Sequence, residues 1–303
     1  MEFFKKQTNI DFLGLQRWAA ALSLILILIS VVSLLTKGLH WGLDFTGGSQ
    51  LQISFKHSVE LPKIRQTLEQ LGYKDALVQS YGTSQDVLIS LADQKTTQHN
   101  LATQIIQALP GAQLKQLEFI GPQVGRELAT QGALAVFIAL LGIMIYIALR
   151  FEYRFAIGAA VALIHDPILI LGIFSLFRIE FNLTALAAIL AVIGYSLNDT
   201  IVIFDRIREN FRKMRKNTAV EVVNLSINQT LSRTIMTSAT TLFVVLSLCI
   251  FGGPMIHSFA LALVIGIVVG TYSSIYVAGA LAVALGLDRS NLLPSVKEID
   301  NRP

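Results

Sequence analysis

The chain has 303 residues, of which 53% are hydrophobic and only 15% are charged, and its mean hydropathy is +0.60. This composition is too apolar for an ordinary soluble domain and indicates a protein that crosses a membrane several times. The formal net charge of +4 matters less than its distribution, because basic residues near the ends of spans set orientation. The single cysteine, Cys249, excludes an internal disulfide and argues against a cysteine-based metal site.

Six apolar stretches have about the length that a helix needs to cross the hydrocarbon core. They cover residues 18–35, 129–149, 155–177, 183–204, 235–251 and 257–285. The first follows Lys5, Lys6 and Arg17, but it is too long for a signal peptide and no cleavage site closes it. We therefore predict an uncleaved first span and a polytopic α-helical membrane protein with six transmembrane helices.

Basic residues are concentrated on one side of these spans. Arg150 and Arg154 lie between spans two and three, and six Lys or Arg residues crowd the link 206–216 after span four. The opposite loops, 178–182 and 252–255, carry few or none. Because Lys and Arg accumulate in cytoplasmic loops, we expect both termini to face the cytoplasm.

Residues 38–128, between spans one and two, form the one sizeable polar segment. Their periodicity predicts strands at 49–55, 75–81, 85–91 and 113–120, and helices at 59–71 and 96–109. The order βαββαβ is that of a small α+β ferredoxin-like domain, which we expect outside the cytoplasm.

The chain then divides into four parts. These are a cytoplasmic N-terminus with the first helix (1–37), the ferredoxin-like domain (38–128), a five-helix remainder (129–286) and a cytoplasmic C-terminal tail (287–303).

An acidic residue lies inside the fourth span. Asp199 has apolar residues on both sides, and a carboxylate near a helix centre costs about 2.5 to 3.5 kcal/mol on translocon scales, so such a residue is by default functional. Tyr195, Ser196 and Asn198 are its neighbours in the helix and predict a supporting polar face. A carboxyl balanced between burial and a nearby cation can gain and lose a proton. A structural ion pair or a packing hydrogen bond is the alternative interpretation.

The natural cation is Arg233, at the cytoplasmic entrance of span five. It belongs to a polar stripe with three- or four-residue spacing that comprises Ser226, Thr230, Arg233, Thr237 and Thr241. Since spans four and five run in opposite directions, Asp199 and Arg233 can lie at similar depths. Such a stripe lines water or another helix rather than lipid. A snorkelling anchor is the alternative for Arg233, and plain interhelical hydrogen bonding is the alternative for the hydroxyls.

His165 and Asp166 form a second titratable pair, near the middle of span three. Pro167 follows them and loosens the hydrogen bonding of the helix, which frees a carbonyl for such a pair. A lone buried histidine is usually structural, but the adjacent acid makes a functional interpretation equally reasonable here. Residue chemistry alone does not rank Asp166 above or below Asp199.

Span six carries small residues at every fourth position, among them Gly266 and Gly270, which predicts close helix packing. The glycine-rich segment 42–48 lacks the Lys-Ser/Thr of a phosphate loop, so we interpret it as a turn. The sequence contains no arrangement of nucleophile and base, no metal-ligand spacing and no nucleotide fingerprint. We therefore expect no chemical catalysis, no cofactor, no metal site and no nucleic-acid ligand.

Several motifs together resemble those of the SecD/SecF family of protein-export membrane proteins. They are GLDFTGG at 42–48, IHD at 164–166, GYSLND at 194–199 with DRIREN at 205–210, QTLSRT at 229–234 and FGGP at 251–254. These motifs extend from span one to span six, so the resemblance covers nearly the whole chain.

The resemblance implies a subunit of the SecD–SecF accessory complex of the bacterial inner membrane, related to the resistance-nodulation-division transporters. It implies that the proton motive force drives movements of periplasmic domains and so promotes a late stage of preprotein translocation. The implied partners are SecD, which would complete a twelve-span complex, the SecYEG channel and unfolded preprotein, with YajC as a further candidate. Asp199 and Arg233 match the family's intramembrane acid and arginine, and Thr237 is the implied relay. His165 and Asp166 fit the family pattern too.

Two other functions remain open. One is half of a resistance-nodulation-division transporter for small molecules or lipids, which the small soluble domain disfavours. The other is a passive scaffold for the translocon. H⁺ is the expected coupling ion and Na⁺ the alternative, because a carboxylate with hydroxyls can serve either.

Overall fold

A computed structural model of the chain describes residues 8–73, 76–81, 83–91, 98–214 and 216–288. Some predicted features lie outside these residues. They are the first residues of the N-terminus (1–7), the beginnings of the strand at 75–81 and the helix at 96–109, the turn at Gly82, the basic residue Arg215, and the tail from 289 onward.

In the described residues, one long helix is followed by a compact α/β unit and then by a series of long helices. The first part of the chain contains α1 (Gln16–Lys37), β1 (His40–Trp41), α2 (Leu43–Thr46), β2 (Gly48–Phe55), α3 (Leu61–Gln70), β3 (Leu77–Tyr81), β4 (Thr83–Leu91), α4 (Gln98–Ala108) and β5 (Ala112–Ile120). The rest contains α5 (Pro122–Arg150), α6 (Tyr153–Leu176), β6 (Glu180–Phe181), α7 (Leu183–Lys213), α8 (Ala219–Phe251), α9 (Pro254–Ser273), a π-helical turn (Ser274–Ala278) and α10 (Gly279–Ala284).

Six helical segments are long and apolar enough to cross a membrane: α1, α5, α6, α7, α8, and Met255–Ala284, which joins α9 to α10. The prediction of six spans is confirmed in these places. Three helices are longer than the apolar stretches that predicted them, since α5 begins at Pro122, α7 continues to Lys213 and α8 begins at Ala219. The predicted link 206–216 is therefore mostly helix.

Local capping explains these longer helices. Pro122 occupies the first turn of α5 after an extended Gly121, a position where the missing N–H of proline is harmless. At α8, the Thr218 hydroxyl accepts a hydrogen bond from the Glu221 N–H (3.3 Å) and the Glu221 carboxylate accepts one from the Thr218 N–H (3.0 Å). This capping box starts the helix well before its apolar part. Hydropathy locates the lipid-facing part of a helix, whereas caps decide where the helix begins.

Strands β2 to β5 form a four-stranded antiparallel sheet in the order β3-β4-β2-β5. Alternate side chains of β2, namely Leu51, Ile53 and Phe55, are buried with side chains of α3 and α4 such as Leu68 and Ile105. Both helices thus cover one face of the sheet. The residues between them in β2 point to the other face, because side chains alternate along a strand.

The glycine-rich segment 42–48 contains the one-turn helix α2, where the sequence predicted a turn. Gly47 has a φ of 70°, and a Cβ there would lie 2.9 Å from the Cα of Pro122. A Cβ on Gly125 would lie 3.0 Å from the Gly47 nitrogen. Glycine is therefore required on both sides of the contact between α2 and the first turns of α5.

Two further contacts join this region to the beginning of α7. The Asp44 carboxylate accepts a hydrogen bond from the Leu183 N–H (2.8 Å), which satisfies a donor at the helix N-terminus. Strand β1 pairs in parallel with β6, in the loop between α6 and α7. The α/β unit is thus attached to the helical part by more than its two chain connections.

The centre of the helical part consists of α6, α7 and α9, whose membrane-length windows are more buried than those of α1, α5 and α8. Large apolar side chains on the peripheral helices point outward, such as Trp18, Phe137 and Phe243. This arrangement is typical of helices that meet lipid or another membrane subunit.

An N-terminal strap, residues 8–15, crosses the beginning of α8. Asn228 accepts a hydrogen bond from the Ile10 N–H (2.9 Å) and donates one to the Ile10 carbonyl (2.8 Å). Asn224 accepts one from the Phe12 N–H (2.8 Å). Since Phe12 and Leu13 are also buried, the strap is a fixed part of the structure.

Candidate functional site

Asp199 lies near the middle of α7, and only 4% of its surface is exposed. Its Oδ2 atom is buried and has no hydrogen-bond partner among the described residues. Buried carboxylate oxygens are nearly always hydrogen-bonded, because the desolvation of an unpaired acceptor costs free energy. The helix therefore presents a buried acceptor that the described part of the chain leaves unused.

Arg233 lies on α8 and is exposed. Its positive charge acts on the Asp199 carboxylate, but it does not bond to the buried Oδ2 atom. Thr237, one turn further along α8, is also exposed and donates its hydroxyl to the Arg233 carbonyl (3.0 Å). The acid and the guanidinium that the sequence predicts as a pair therefore lie close enough for their charges to interact, but the guanidinium makes no hydrogen bond to Asp199 Oδ2.

Thr230 and Thr241 of the predicted stripe bond within their own helix, whereas the Ser226 hydroxyl also accepts a hydrogen bond from Asn210 of α7 (2.8 Å). Thr230 donates to the Ser226 carbonyl (3.0 Å) and Thr241 donates to the Thr237 carbonyl (2.9 Å), which is a common alternative for Thr in helices. Thr234 differs from them. It is 1% exposed, and its Oγ1 has no partner among the described residues. Sequence reasoning missed Thr234 because it lies outside the spacing of the stripe, although the QTLSRT motif contains it.

Asp166 is the centre of a buried hydrogen-bond cluster that connects three helices. Its Oδ1 lies 2.9 Å from Nδ1 of His165 on α6. Its Oδ2 accepts hydrogen bonds from Ser196 of α7 and from Ser273 of α9, the latter at 2.9 Å. Only 1% of Asp166 is exposed. Unlike Asp199, Asp166 has a partner within the protein for each of its carboxylate oxygens.

His165 is held between this cluster and an aromatic ring. Tyr272 stacks against it at a centroid distance of 6.3 Å, and the Tyr272 hydroxyl donates to the Ala19 carbonyl of α1 (2.7 Å). The Nε2 atom of His165 is buried and has no partner among the described residues. The pair His165–Asp166 therefore holds one ring nitrogen in a hydrogen bond and leaves the other free.

Two helix irregularities lie beside Asp166. Pro167 interrupts the hydrogen bonding of α6 at the next residue. Ser273 is the last residue of α9, directly before the π-helical turn, and such turns are frequent at functional sites. Sequence reasoning did not identify Ser273. The available signal was the hydroxyl-bearing run from Thr271 to Ser274 in an otherwise apolar span.

The predicted polar face around Asp199 is distributed in three directions. Ser196 bonds to Asp166. Tyr195 donates its hydroxyl to Ser238 of α8 (3.4 Å), which in turn lies 2.8 Å from the Thr271 hydroxyl of α9. Asn198 is exposed. These three residues therefore do not gather around Asp199, because successive residues of a helix point 100° apart.

Gly266 and Gly270 lie where α9 meets α7. A Cβ on Gly270 would come 2.9 Å from the Cβ of Ser196, and a Cβ on Gly266 would collide with Val192. The small residues thus allow α9 to approach α7 closely enough for Ser196 and Ser273 to share Asp166. Among the described residues, no three His, Cys, Asp or Glu side chains are grouped so that they could hold a metal ion.

Comparison with known families gives two matches. The model described as "Protein export membrane protein SecD/SecF, C-terminal" matches residues 99–288. The model for the SecD/SecF GG motif matches residues 32–59, which include Gly47 at the contact with α5.

Individual relatives match over nearly the whole chain. The protein translocase subunit SecF of Vibrio alginolyticus is 48% identical over 97% of this chain and 95% of that protein. The SecF subunit of Pseudomonas aeruginosa is 46% identical over 97% of this chain and 98% of that protein.

A solved structure matches as well. The crystal structure of SecDF, a translocon-associated membrane protein from Thermus thermophilus, superposes with a TM-score of 0.85 at 37% identity. The match covers 93% of this chain but only 39% of the SecDF chain, so this chain spans well under half of that polypeptide.

Proposed function

The chain belongs to the SecD/SecF family of protein export membrane proteins, among its SecF subunits, and from this membership we propose that it uses the proton motive force to promote a late stage of preprotein translocation across the bacterial inner membrane. The protein would act by coupling proton movement to domain movement, without chemical catalysis and without a cofactor. One observation carries this proposal. A buried carboxylate oxygen of Asp199 has no hydrogen-bond partner in the described part of the chain, while the charge of Arg233 acts on the carboxylate from the next helix.

We assign the roles as follows. Asp199 binds and releases H⁺, and Arg233 favours the ionised form when it approaches. Thr237 is one turn from Arg233 and relays the proton. The pair His165–Asp166 is a second protonatable site on the same route, because Ser196 links Asp166 to the helix that carries Asp199. An arginine that alternately approaches and leaves a buried acid is a means of making its proton affinity depend on conformation.

The partner that we propose is SecD. Arg233 and Thr237 are exposed on α8, and Ala187, Ala191 and Asn198 form an exposed face of small or polar side chains on α7. Small and polar residues on a membrane helix are typical of a contact with another helix rather than with lipid. In the Thermus thermophilus relative, SecDF is one chain of which this chain matches 39%, which supports a second subunit that completes a twelve-span assembly. SecYEG and YajC are further proposed partners.

We further propose that the α/β unit is a ferredoxin-like domain in the periplasm and that both termini are cytoplasmic. The strand order β3-β4-β2-β5 with two helices on one face supports the first point. The basic residues near the cytoplasmic ends of α5, α6 and α7 support the second.

The test is gradient-driven export in inverted membrane vesicles that contain the chain with its SecD partner. We expect Asp199→Asn to abolish the step that requires an imposed proton gradient, because an amide cannot exchange a proton at this position. The measurement is the fraction of a model preprotein that becomes protected from protease, with and without the gradient.

Asp205→Asn is the matched control. Asp205 is on the same helix, but it is partly exposed and pairs with Arg150, so its substitution should leave the gradient-dependent step intact. If Asp199→Asn exports as well as this control, the coupling role of Asp199 is wrong and a passive scaffold becomes the better description. A gradient requirement that remains for a small molecule or lipid but not for preprotein would favour the transporter alternative.

A further inference from the structure

A cleft of about 830 Å³ separates the open face of the β-sheet from the outer surface of the helical part. Four glutamines of the sheet line one wall: Gln50, Gln52, Gln79 and Gln116. The loop between α6 and α7 and the turn between α8 and α9 form the opposite wall. The roles assigned above to the buried acids use none of these residues.

Strand register places the amides next to one another. Gln52 lies opposite Gln116 on β5 and opposite Leu88 on β4, and Leu88 in turn lies opposite Gln79 on β3. Gln50 is two residues before Gln52 on the same face. Neighbouring strands are about 4.8 Å apart, so the amide groups form a compact array rather than scattered surface residues.

Gln79 donates a hydrogen bond to Glu180 of the opposite wall, whereas the amides of Gln50, Gln52 and Gln116 retain hydrogen-bonding capacity. Gln50 donates to the Ser90 hydroxyl (3.2 Å) and Gln116 donates to the Glu118 carboxylate (2.7 Å), which leaves the amide oxygens of both free to accept. The side chain of Gln52 makes no hydrogen bond with any residue that the structure describes. A glutamine offers two donors and one acceptor oxygen, and these are the groups that a polypeptide backbone needs, whatever its sequence.

The opposite wall carries large apolar side chains that are exposed. Phe177, Ile250 and Met255 are exposed by 70%, 71% and 58%. Flexible methionine and aliphatic side chains accept apolar groups of different shapes. One wall is therefore suited to a backbone and the other to varied side chains.

The charges of the cleft favour a neutral or cationic occupant. Asp44, Glu118 and Glu180 line it, and the basic side chain of Arg178 is the only Lys or Arg among its described lining residues. An anionic lipid headgroup would be repelled by the carboxylates, and an acyl chain would leave the amides without partners. A peptide that carries Lys or Arg can bond to the amides through its backbone, contact the apolar side chains and pair its charge with the carboxylates.

From this we propose that the cleft binds a short extended segment of unfolded polypeptide. The inference rests on the proposed role in preprotein translocation and adds the place where the emerging chain is held. Gln50, Gln52 and Gln116 bond to its backbone, the exposed apolar side chains of the opposite wall contact its side chains, and the carboxylates favour Lys and Arg over Asp and Glu.

The binding test uses the full chain with SecD in nanodiscs of zwitterionic phospholipid. The probe is a fluorescent, unstructured peptide of roughly eight residues, which spans about 27 Å when extended, made of Ala, Val and Ser with two Lys. A second probe has Glu in place of Lys. We expect the Lys peptide to bind more tightly than the Glu peptide. We expect the double variant Gln52→Leu, Gln116→Leu to weaken binding about tenfold, as two lost hydrogen bonds would.

Gln66→Leu is the control. Gln66 is exposed on α3, on the covered side of the sheet, and its substitution should not change binding. A photo-crosslinker at position 52 should join to the bound peptide, and one at position 66 should not. Equal binding by both peptides, equal binding by the double variant, or crosslinks from position 52 only to SecD or lipid would overturn the proposal. Gradient-driven export does not enter this assay, so its outcome is separate from that of Asp199→Asn.

Discussion

Asp166 and Asp199 are both buried acids in the helical part, but their surroundings are opposite. Asp166 accepts hydrogen bonds from serines of two other helices and contacts His165. Asp199 has an oxygen without a partner in the described chain. The first carboxylate therefore contributes to the folded structure, whereas the second is free to respond to a proton or an approaching cation.

This contrast predicts different stabilities for two otherwise similar variants. Asp166→Ala removes three hydrogen bonds and leaves a cavity between α6, α7 and α9, so it should lower the free energy of unfolding by about 2 to 3 kcal/mol. Asp199→Ala removes no bond at Oδ2 and should change it by less than about 1 kcal/mol. The measurement is unfolding of the purified chain in mixed micelles. Equal destabilisation by both variants would contradict this assignment.

At the scale of elements, the contact between α7 and α9 depends on Gly270. A methyl group there would come 2.9 Å from Ser196 Cβ, and the helices would have to separate, which also lengthens the bonds to Asp166. We expect Gly270→Ala to destabilise the chain by about 1 to 3 kcal/mol, as overpacking does.

Gly142→Ala provides the comparison for that variant. Nothing lies within 4 Å of a Cβ at Gly142 on α5, and alanine is the better helix former, so this substitution should be neutral or stabilising by up to about 1 kcal/mol. Thermal unfolding of the two variants in the same detergent measures the difference. A Gly270→Ala protein as stable as the Gly142→Ala protein would show that the helices can move apart freely.

The sequence was sufficient to predict the helices and the βαββαβ element order, because apolar periodicity along the chain is a local property. It also predicted that Asp199 and Asp166 are buried, since each lies inside an apolar stretch. It was not sufficient to connect Asp166 with Ser273, because that contact depends on how α6 and α9 approach in three dimensions. The predicted polar face of Tyr195, Ser196 and Asn198 is spread over several directions for a local reason, because successive residues of a helix point 100° apart.

At the scale of the whole molecule, the α/β unit contacts the helical part through Glu180. Burial, and then the charge of Asp44, raises the pKa of Glu180 above its ordinary value of 4.5, and a hydrogen bond from Gln79 of the sheet opposes this shift. The docked arrangement therefore holds a proton on Glu180 more tightly than an undocked one. Its stability is fully present below pH 4.5 and decreases as the pH rises through the raised pKa.

We accordingly expect the α/β unit to be held less firmly against the helical part as the pH rises above 4.5. Spin labels at Gln66 and Phe177, with Cys249 replaced by serine, should give a narrow distance distribution at low pH and a broader one at higher pH. Glu180→Gln removes the titrating group and keeps an amide for Gln79, so its distribution should stay the same across this range. A pH response that persists in Glu180→Gln would assign the effect to another group.

The N-terminal strap has a consequence for biosynthesis. Its Ile10 N–H bonds to a side chain 218 residues later in the chain. A ribosome adds about 5 to 20 residues per second, so the strap waits roughly 10 to 40 s for its partner. During that time α1 is already available to the membrane while the segment before it has no site to occupy. The first residues described in the chain are thus among the last to reach their final positions, because they pack against α8 only after that helix has been made.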